Sequence, residues 1–251
     1  MKIITRILTV RAISLTAFSI LIAVPLLSVV VTSLKTMRQY VKEPLSLPIP
    51  ATLENYERLF KDYGLHMYFK NSMIFTFCTV ILVILLSTMV SYACVRIGGL
   101  KSQLIFGLFT IGLLIPAQVN IIPLYGLIIK IENFTASVGW LPSIQFRDTL
   151  HGLILIKTAV LISLSVFIVT GFIKTIPKEL FEAAAVDGSS EWWMYSKVAI
   201  PLSLPAIASS SIFLCVIVWN DLLYPLLFTG EKTKTLTMAL LMFKGEYESN
   251  Y

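Results

Sequence analysis

The stretch 176–206 reads IPKELFEAAAVDGSSEWWMYSKVAIPLSLPA and is a polar interruption between long apolar runs. Pro177 suits the first turn of a helix, because proline has no N–H to satisfy there and its φ is already helical. Gly188 predicts where this helix stops. Ser189 or Ser190 can then cap a second helix. The sequence therefore predicts a bent pair of short helices at this place in the chain.

The composition of the whole chain sets its class. Hydrophobic residues make up 57% and charged residues 14%, and the mean hydropathy is +0.84. A chain with this composition is too apolar to be an ordinary soluble domain. The net charge of +6 occurs without any cluster of Lys and Arg interleaved with aromatic residues, so we expect no nucleic-acid partner. We interpret the excess of basic residues as a signal that orients the membrane segments. We expect an all-α integral membrane protein.

Five largely uncharged runs are long enough to cross a bilayer. We predict a single transmembrane domain over 1–251, with spans at about 12–34, 72–95, 103–129, 152–173 and 204–228. Lys157, near one end of the fourth run, is expected to extend its ammonium group toward the membrane surface. After the fifth run the longest apolar stretch is Leu236–Phe243, which is too short to span.

Five positions in the interruption carry a family resemblance. Glu182-Ala183-Ala184, Gly188 and Pro201 fit E-A-A-x3-G-x9-I-x-L-P, with Val and Ile at the two aliphatic positions. This resembles the EAA loop of membrane permeases in ATP-binding-cassette (ABC) importers, although an ordinary interfacial helix ended by a glycine is an alternative interpretation. TLENYERLF at 52–60 is similar to the same family's first external segment. Over nearly the whole chain, the resemblance is closest to the second permease subunit of maltose-type carbohydrate importers.

The resemblance implies an architecture and a set of partners. The fold would be a type I ABC importer transmembrane domain, and 176–203 would be its cytoplasmic coupling loop. The implied partners are a cytoplasmic ABC ATPase dimer, a second permease in a heterodimer, an extracytoplasmic sugar-binding protein and membrane lipid. The location would be the bacterial cell membrane, with a cytoplasmic N-terminus. Family members usually have six spans, so the sixth is expected to be missing at the C-terminus.

The resemblance also implies which residues meet the ATPase. The helix 179–187 would dock in a groove of the ATPase subunit, with Glu182 and Gly188 at the joint. The full set of implied ATPase-coupling residues is Glu179, Glu182, Ala183, Ala184, Asp187, Gly188 and Pro201.

Polar and aromatic residues in the third and fifth runs are candidates for a solute path. Amides and prolines inside a membrane segment need protein or water partners, and sugars are bound by amides together with aromatic faces. Interhelical hydrogen bonding or packing explains each of these residues as well. The candidates are Gln118, Asn120, Tyr125, Trp219, Asn220 and Tyr224.

Motifs for other chemistries are missing from the sequence. GGLKS at 98–102 lacks the spacing of a phosphate-binding loop, and no catalytic constellation is recognisable. His66 and His151 have no companion at metal-ligand spacing. We therefore expect no enzyme activity, no catalytic or metal site and no directly bound cofactor, with ATP used by the partner subunit. A secondary transporter would need ionisable groups near the midplane, and the central thirds of the runs contain none.

These observations predict the membrane-spanning subunit of an ATP-driven importer. It would form the translocation path for a sugar, such as an oligosaccharide, and would be coupled to its ATPase through the EAA loop. Two alternatives stay open at this point. The chain could be a C-terminally shortened, transport-incompetent remnant of such a permease, or a permease for a solute that is not a sugar.

Overall fold

The computed structural model describes residues 2–61, 64–138 and 144–241, and it describes side chains from Arg11 onward. Within these ranges the chain is helical and contains no strand. It divides into two compact units, Met1–Leu65 and His66–Tyr251.

The first unit contains one long helix and two short ones. These are α1 (Lys2–Ser33), α2 (Met37–Lys42) and α3 (Glu54–Lys61). Thr36 and Gln39 form a capping box at the start of α2. The side-chain amide of Asn55 donates to the carbonyl oxygens of Ser33 and Lys35, at 2.9 and 2.8 Å. The polar segment after α1 is therefore folded back to satisfy the carbonyl groups at the end of that helix.

The second unit begins with α4 (Leu65–Ile97), α5 (Gly99–Leu114), α6 (Ala117–Ser137) and α7 (Leu150–Ile173). The short helices α8 (Lys178–Val186) and α9 (Glu191–Met194) follow, then a π-helical turn at Tyr195–Ala199 and α10 (Ile200–Leu202). The last elements are α11 (Leu204–Trp219), α12 (Leu223–Phe228), a 3-10 turn at Glu231–Thr233 and a helical stretch at 236–241. The rest of the last apolar run, from 242, lies outside the described residues.

Among the residues that the structure describes, three helical segments are long and apolar enough to cross a membrane: Arg11–Ser33, Leu65–Ile97 and Leu150–Ile173. The number rises to five within the described residues if two bent pairs each count as one span. The region predicted as a single span at 103–129 is one of these pairs, because α5 and α6 meet at 105°. Ile115 is extended there, as expected for a residue that precedes a proline.

The fifth predicted span, 204–228, is also interrupted. α11 ends at Trp219, and α12 starts at Leu223. Asn220 caps α11, and its side-chain amide donates to the carbonyl oxygen of Val216 at 2.9 Å. The amide thus satisfies one of the carbonyl groups at the helix end, which leaves the chain free to turn before α12.

Helix α7 is the centre of the second unit. It packs against α5, α11 and α12, and 56% of its most apolar window is buried inside the protein. Ser165 of α7 lies between Ser87 of α4 and Ser210 of α11, with hydroxyl distances of 2.7 and 3.4 Å. Small residues let helices approach closely in a membrane, and hydroxyl groups link them there.

Lys157 does not extend toward the membrane surface as predicted. Its Nζ lies 2.7 Å from Oδ2 of Asp221, and the two side chains are only 6% and 8% exposed. The ammonium group also lies 4.2 Å from the ring centroid of Tyr224. The break between α11 and α12 places the Asp221 carboxylate beside α7, so the Lys157 ammonium group is paired inside the bundle.

The connection between α6 and α7 is held by a carboxylate. Glu132 Oε1 accepts hydrogen bonds from the backbone N–H groups of Phe146 and Arg147, at 2.7 and 2.8 Å, and Oε2 accepts one from Arg147 Nε at 2.6 Å. The chain here comes so close to α7 that a Cβ on Gly152 would lie 1.9 Å from the carbonyl oxygen of Phe146. Only glycine fits at that position.

Candidate functional site

The first helix of the 176–203 loop, α8, ends in local hydrogen bonds. Pro177 is the residue before α8. At the other end, the N–H of Gly188 donates to Ala185 O, and the N–H of Ser189 donates to Ala184 O, both at 3.0 Å. This is a Schellman motif, and it requires the left-handed conformation that Gly188 adopts at φ +80°. Asp187 lies at the cap and not within the helix.

Helix α8 has a buried and an exposed side. Phe181 and Ala184 face the protein interior. Of the expected coupling residues, Glu179, Glu182, Ala183, Asp187 and Gly188 are exposed, and so is Pro201 in α10. Val186 is 88% exposed, which is unusual for an aliphatic side chain next to a well-packed cluster. The helix therefore presents carboxylates and an aliphatic residue to its surroundings.

The second helix of the loop is fixed by its interior residues. Ser190 Oγ accepts a hydrogen bond from Trp193 N at 3.2 Å and caps α9. Met194 and Tyr195 are buried, whereas Trp192 and Trp193 are exposed. The buried residues join a cluster that also contains residues of α4, α7 and α8. α8 and α9 are thus both packed on the same apolar cluster.

Polar contacts connect this loop to α4. Glu191 Oε2 accepts from the Tyr92 hydroxyl at 2.6 Å. Arg96 donates to both oxygens of the same carboxylate, at 2.6 and 3.1 Å. The Tyr195 hydroxyl lies 2.9 Å from Thr88 Oγ1. Sequence reasoning missed these residues; the four-residue spacing of Thr88, Tyr92 and Arg96 is the signal that could have found them.

Two of the candidate solute-path residues lie just after the bend between α5 and α6. Gln118 and Asn120 are exposed in the first turns of α6. Asn120 lines a largely apolar cleft of about 490 Å³ between α5, α6 and α7, together with Gly112 and Ser163. This cleft has few polar groups, so a solute bound there would make mainly van der Waals contacts and could hydrogen-bond to the amide of Asn120.

The aromatic candidates lie in packed surroundings. Tyr125 is half-buried, and its ring contacts that of Phe228 at 5.4 Å. Tyr224 is buried and stacks on the same phenylalanine at 6.3 Å. The structure therefore brings Tyr125 and Tyr224 together through Phe228, and the location of Tyr224 under Lys157 favours a packing role.

The remaining candidates adjoin the break after α11. Trp219 is half-buried and makes an edge contact with Phe69 at 5.8 Å. Asn220 is exposed, although its amide is used at the helix end. No group of three or more metal-ligating side chains that could hold an ion occurs in the part of the chain that the structure describes.

Comparison with known proteins identifies the family. Residues 84–251 match the model for the binding-protein-dependent transport system inner membrane component. A putative ABC transporter permease protein of Caldicellulosiruptor sp. is 30% identical over 94% of this chain and 82% of that protein. The diacetylchitobiose uptake system permease protein of Streptomyces coelicolor is 29% identical over 93% of this chain and 74% of its own length.

The fold is shared with a solved transporter. A chain from the crystal structure of a bacterial ABC transporter involved in alginate import superposes with a TM-score of 0.73. The match has 17% identity and covers 96% of this chain and 84% of the other. The predicted type I importer fold is therefore confirmed for this multi-pass membrane protein. The chain belongs to the binding-protein-dependent inner membrane components, the permease subunits of ABC importers.

Proposed function

We propose that this chain is the membrane-spanning subunit of an ATP-driven importer that forms the translocation path for a sugar. The observation that carries this proposal is α8, a short helix with an exposed acidic and aliphatic side, ended by a Schellman motif and packed on the transmembrane bundle through Phe181 and Ala184. Such a helix can dock on another protein and move as one piece.

The solute class is supported by the relatives. One related permease is named for diacetylchitobiose uptake, and the structural neighbour takes part in the import of alginate. Both solutes are saccharides. In this chain, Gln118 and Asn120 supply exposed amides next to the bend of α5 and α6, and amides can hydrogen-bond sugar hydroxyl groups. An oligosaccharide or a similar sugar is the solute we propose.

The energy for transport comes from a partner. A cytoplasmic ABC ATPase dimer binds the exposed side of α8, where Glu179, Glu182 and Ala183 face outward. ATP is hydrolysed in that partner and not in this chain. A second permease completes the path as a heterodimer, and an extracytoplasmic binding protein delivers the sugar. This arrangement places the coupling loop and the N-terminus in the cytoplasm.

Mechanically, closure of the two ATPase subunits displaces α8, and the bundle shifts between inward-open and outward-open states. Gly188 is central because it holds the turn between α8 and α9 in a left-handed conformation. A side chain at this φ is strained by about 1–2 kcal/mol, whereas asparagine tolerates the left-handed region.

The test is the ATPase activity of the complete complex in nanodiscs, with and without binding protein loaded with diacetylchitobiose or maltose. We expect stimulation with the wild-type chain and with Gly188→Asn, and loss of stimulation with Gly188→Pro. Proline cannot adopt this φ and has no N–H for Ala185 O. If the wild-type complex is never stimulated, or if Gly188→Pro is stimulated as strongly as Gly188→Asn, the proposal is wrong.

A further inference from the structure

Three residues of α4 face the coupling loop at intervals of four positions. Thr88, Tyr92 and Arg96 lie on one side of the helix because residues four apart share a face. Thr88 meets the hydroxyl of Tyr195 at 2.9 Å. Tyr92 and Arg96 both bind the carboxylate of Glu191. We call Thr88, Tyr92 and Arg96 the α4 stripe.

Arg96 contacts both short helices of the loop. It forms a two-point contact with Glu191, the first residue of α9. Its guanidinium carbon also lies 5.8 Å from the ring centroid of Phe181 in α8. A planar guanidinium held at two points fixes orientation as well as distance. One side chain therefore connects both α8 and α9 to α4.

Tyr92 supports the same joint from the interior. Its ring lies 6.1 Å from that of Phe181 and 5.5 Å from that of Tyr195, between ring centroids. Both tyrosines are buried. The apolar cluster around them joins α4, α7, α8 and the π-helical turn. Movement of α8 against α4 would have to disrupt this cluster.

The ion pair connects two parts of the protein that are not consecutive in the chain. The side chains of Arg96 and Glu191 are 28% and 60% exposed, so solvent screens part of their attraction, while the two-point contact fixes the position of the carboxylate. The coupling loop is covalently continuous with α7 and α11 but not with α4, which ends at Ile97. The stripe therefore gives α4 a direct polar contact with the loop, in addition to its contacts with α7.

We propose that the α4 stripe and Glu191 form a rigid joint that transmits displacement of the coupling loop to α4. Glu191 is a positioning residue in this joint, and it acts through Tyr92 and Arg96. The inference rests on the proposed function, because the displacement comes from the ATPase partner.

The first test measures binding-protein-stimulated over basal ATPase activity in the complete complex. Glu191→Gln removes the charge, and Tyr92→Phe removes only the hydroxyl group. We expect Glu191→Gln to lower the stimulation ratio by about 2- to 30-fold, the range found when residues of a coupling network are changed. Tyr92→Phe should give a smaller loss. Glu57→Gln is the matched control, since its carboxylate forms an exposed pair with Lys61.

The second test measures rigidity directly. Spin labels at Ile97 and Lys197, both exposed, report the distance between the end of α4 and the coupling loop in a background without the native cysteines. We expect one narrow distance distribution in the nucleotide-free and vanadate-trapped complex. Glu191→Gln should broaden it or make it differ between the two states.

The outcomes separate the two proposals. If the wild-type complex shows no stimulation, the proposed function fails and the joint fails with it. If the wild type is stimulated and Glu191→Gln keeps both its ratio and a narrow distribution, the proposed function stands and the joint is overturned. If Glu191→Gln does not assemble, Tyr92→Phe decides between the same two results. This variant loses one hydrogen bond to Glu191 but keeps the Arg96–Glu191 ion pair, so the complex should still assemble.

Discussion

Replacing Lys157 by methionine should destabilise the protein strongly. The ammonium group lies 2.7 Å from Asp221 Oδ2, and both side chains are almost completely buried. That oxygen has no other hydrogen-bond partner among the described residues. Methionine preserves most of the aliphatic volume, so the main change is the loss of the positive charge. The substitution leaves a carboxylate without its counter-ion inside the bundle.

The magnitude follows from the geometry. Two unit charges 2.7 Å apart attract by about 6 kcal/mol at an effective dielectric constant of about 20. Desolvation of both ions offsets most of this attraction in the intact pair. Once the lysine is removed, the desolvation of Asp221 stays without compensation, and broken buried pairs typically cost about 3–5 kcal/mol. We expect Lys157→Met to lower the free energy of unfolding by that amount.

The assay is reversible unfolding in mixed micelles, with sodium dodecyl sulfate as denaturant and helicity followed by circular dichroism. A double-mutant cycle with Asp221→Asn isolates the pair. We expect the double variant to be more stable than the sum of the single effects by about 2 kcal/mol or more. Lys61→Met is the control, because its pair with Glu57 is 73% and 65% exposed and should be worth under about 1 kcal/mol.

Two results would refute this reasoning. One is a cost for Lys157→Met as small as that of Lys61→Met. The other is strict additivity in the cycle, which would mean that Lys157 and Asp221 do not interact in the folded protein. Either result would return Lys157 to the role of a lysine that reaches the membrane surface.

Three other substitutions test local features of the fold. Gly152→Ala should lower the free energy of unfolding by about 3 kcal/mol or more, since its Cβ would clash with a carbonyl oxygen of the 144–149 segment. Gly126→Ala is the control, because a Cβ there meets nothing within 4 Å, and equal stability of the two variants would contradict the prediction. Asn55→Ala should destabilise by about 1–2 kcal/mol through the loss of two hydrogen bonds at the end of α1, measured in the same titration; an unchanged midpoint would count against it. Glu132→Gln should speed hydrogen exchange at the backbone amides of Phe146 and Arg147 by about tenfold. Unchanged exchange rates at these amides would show that the Glu132 carboxylate does not hold the 144–149 segment.

The sequence determined the features that depend on neighbours a few residues apart. Pro177 and Gly188 mark the ends of α8, and the pair Ser189-Ser190 marks the start of α9, because capping uses groups within one turn of the helix. The fold class followed from the length of the apolar runs. The EAA-like positions predicted the family, which the comparisons confirm. The run at 103–129 shows the limit, since length and hydropathy do not reveal that Pro116 begins a new helix after a 105° bend.

Only the tertiary structure decided which distant residues meet. Lys157 looked like a lysine near a membrane surface until the break after α11 placed Asp221 beside it. Arg96 and Glu191 are 95 residues apart, and no local pattern pairs them. Charged side chains carry no local mark of their partner, because the partner depends on how helices pack. The local signals therefore predicted the helix ends of the 176–203 loop, whereas helix packing determined that this loop contacts α4.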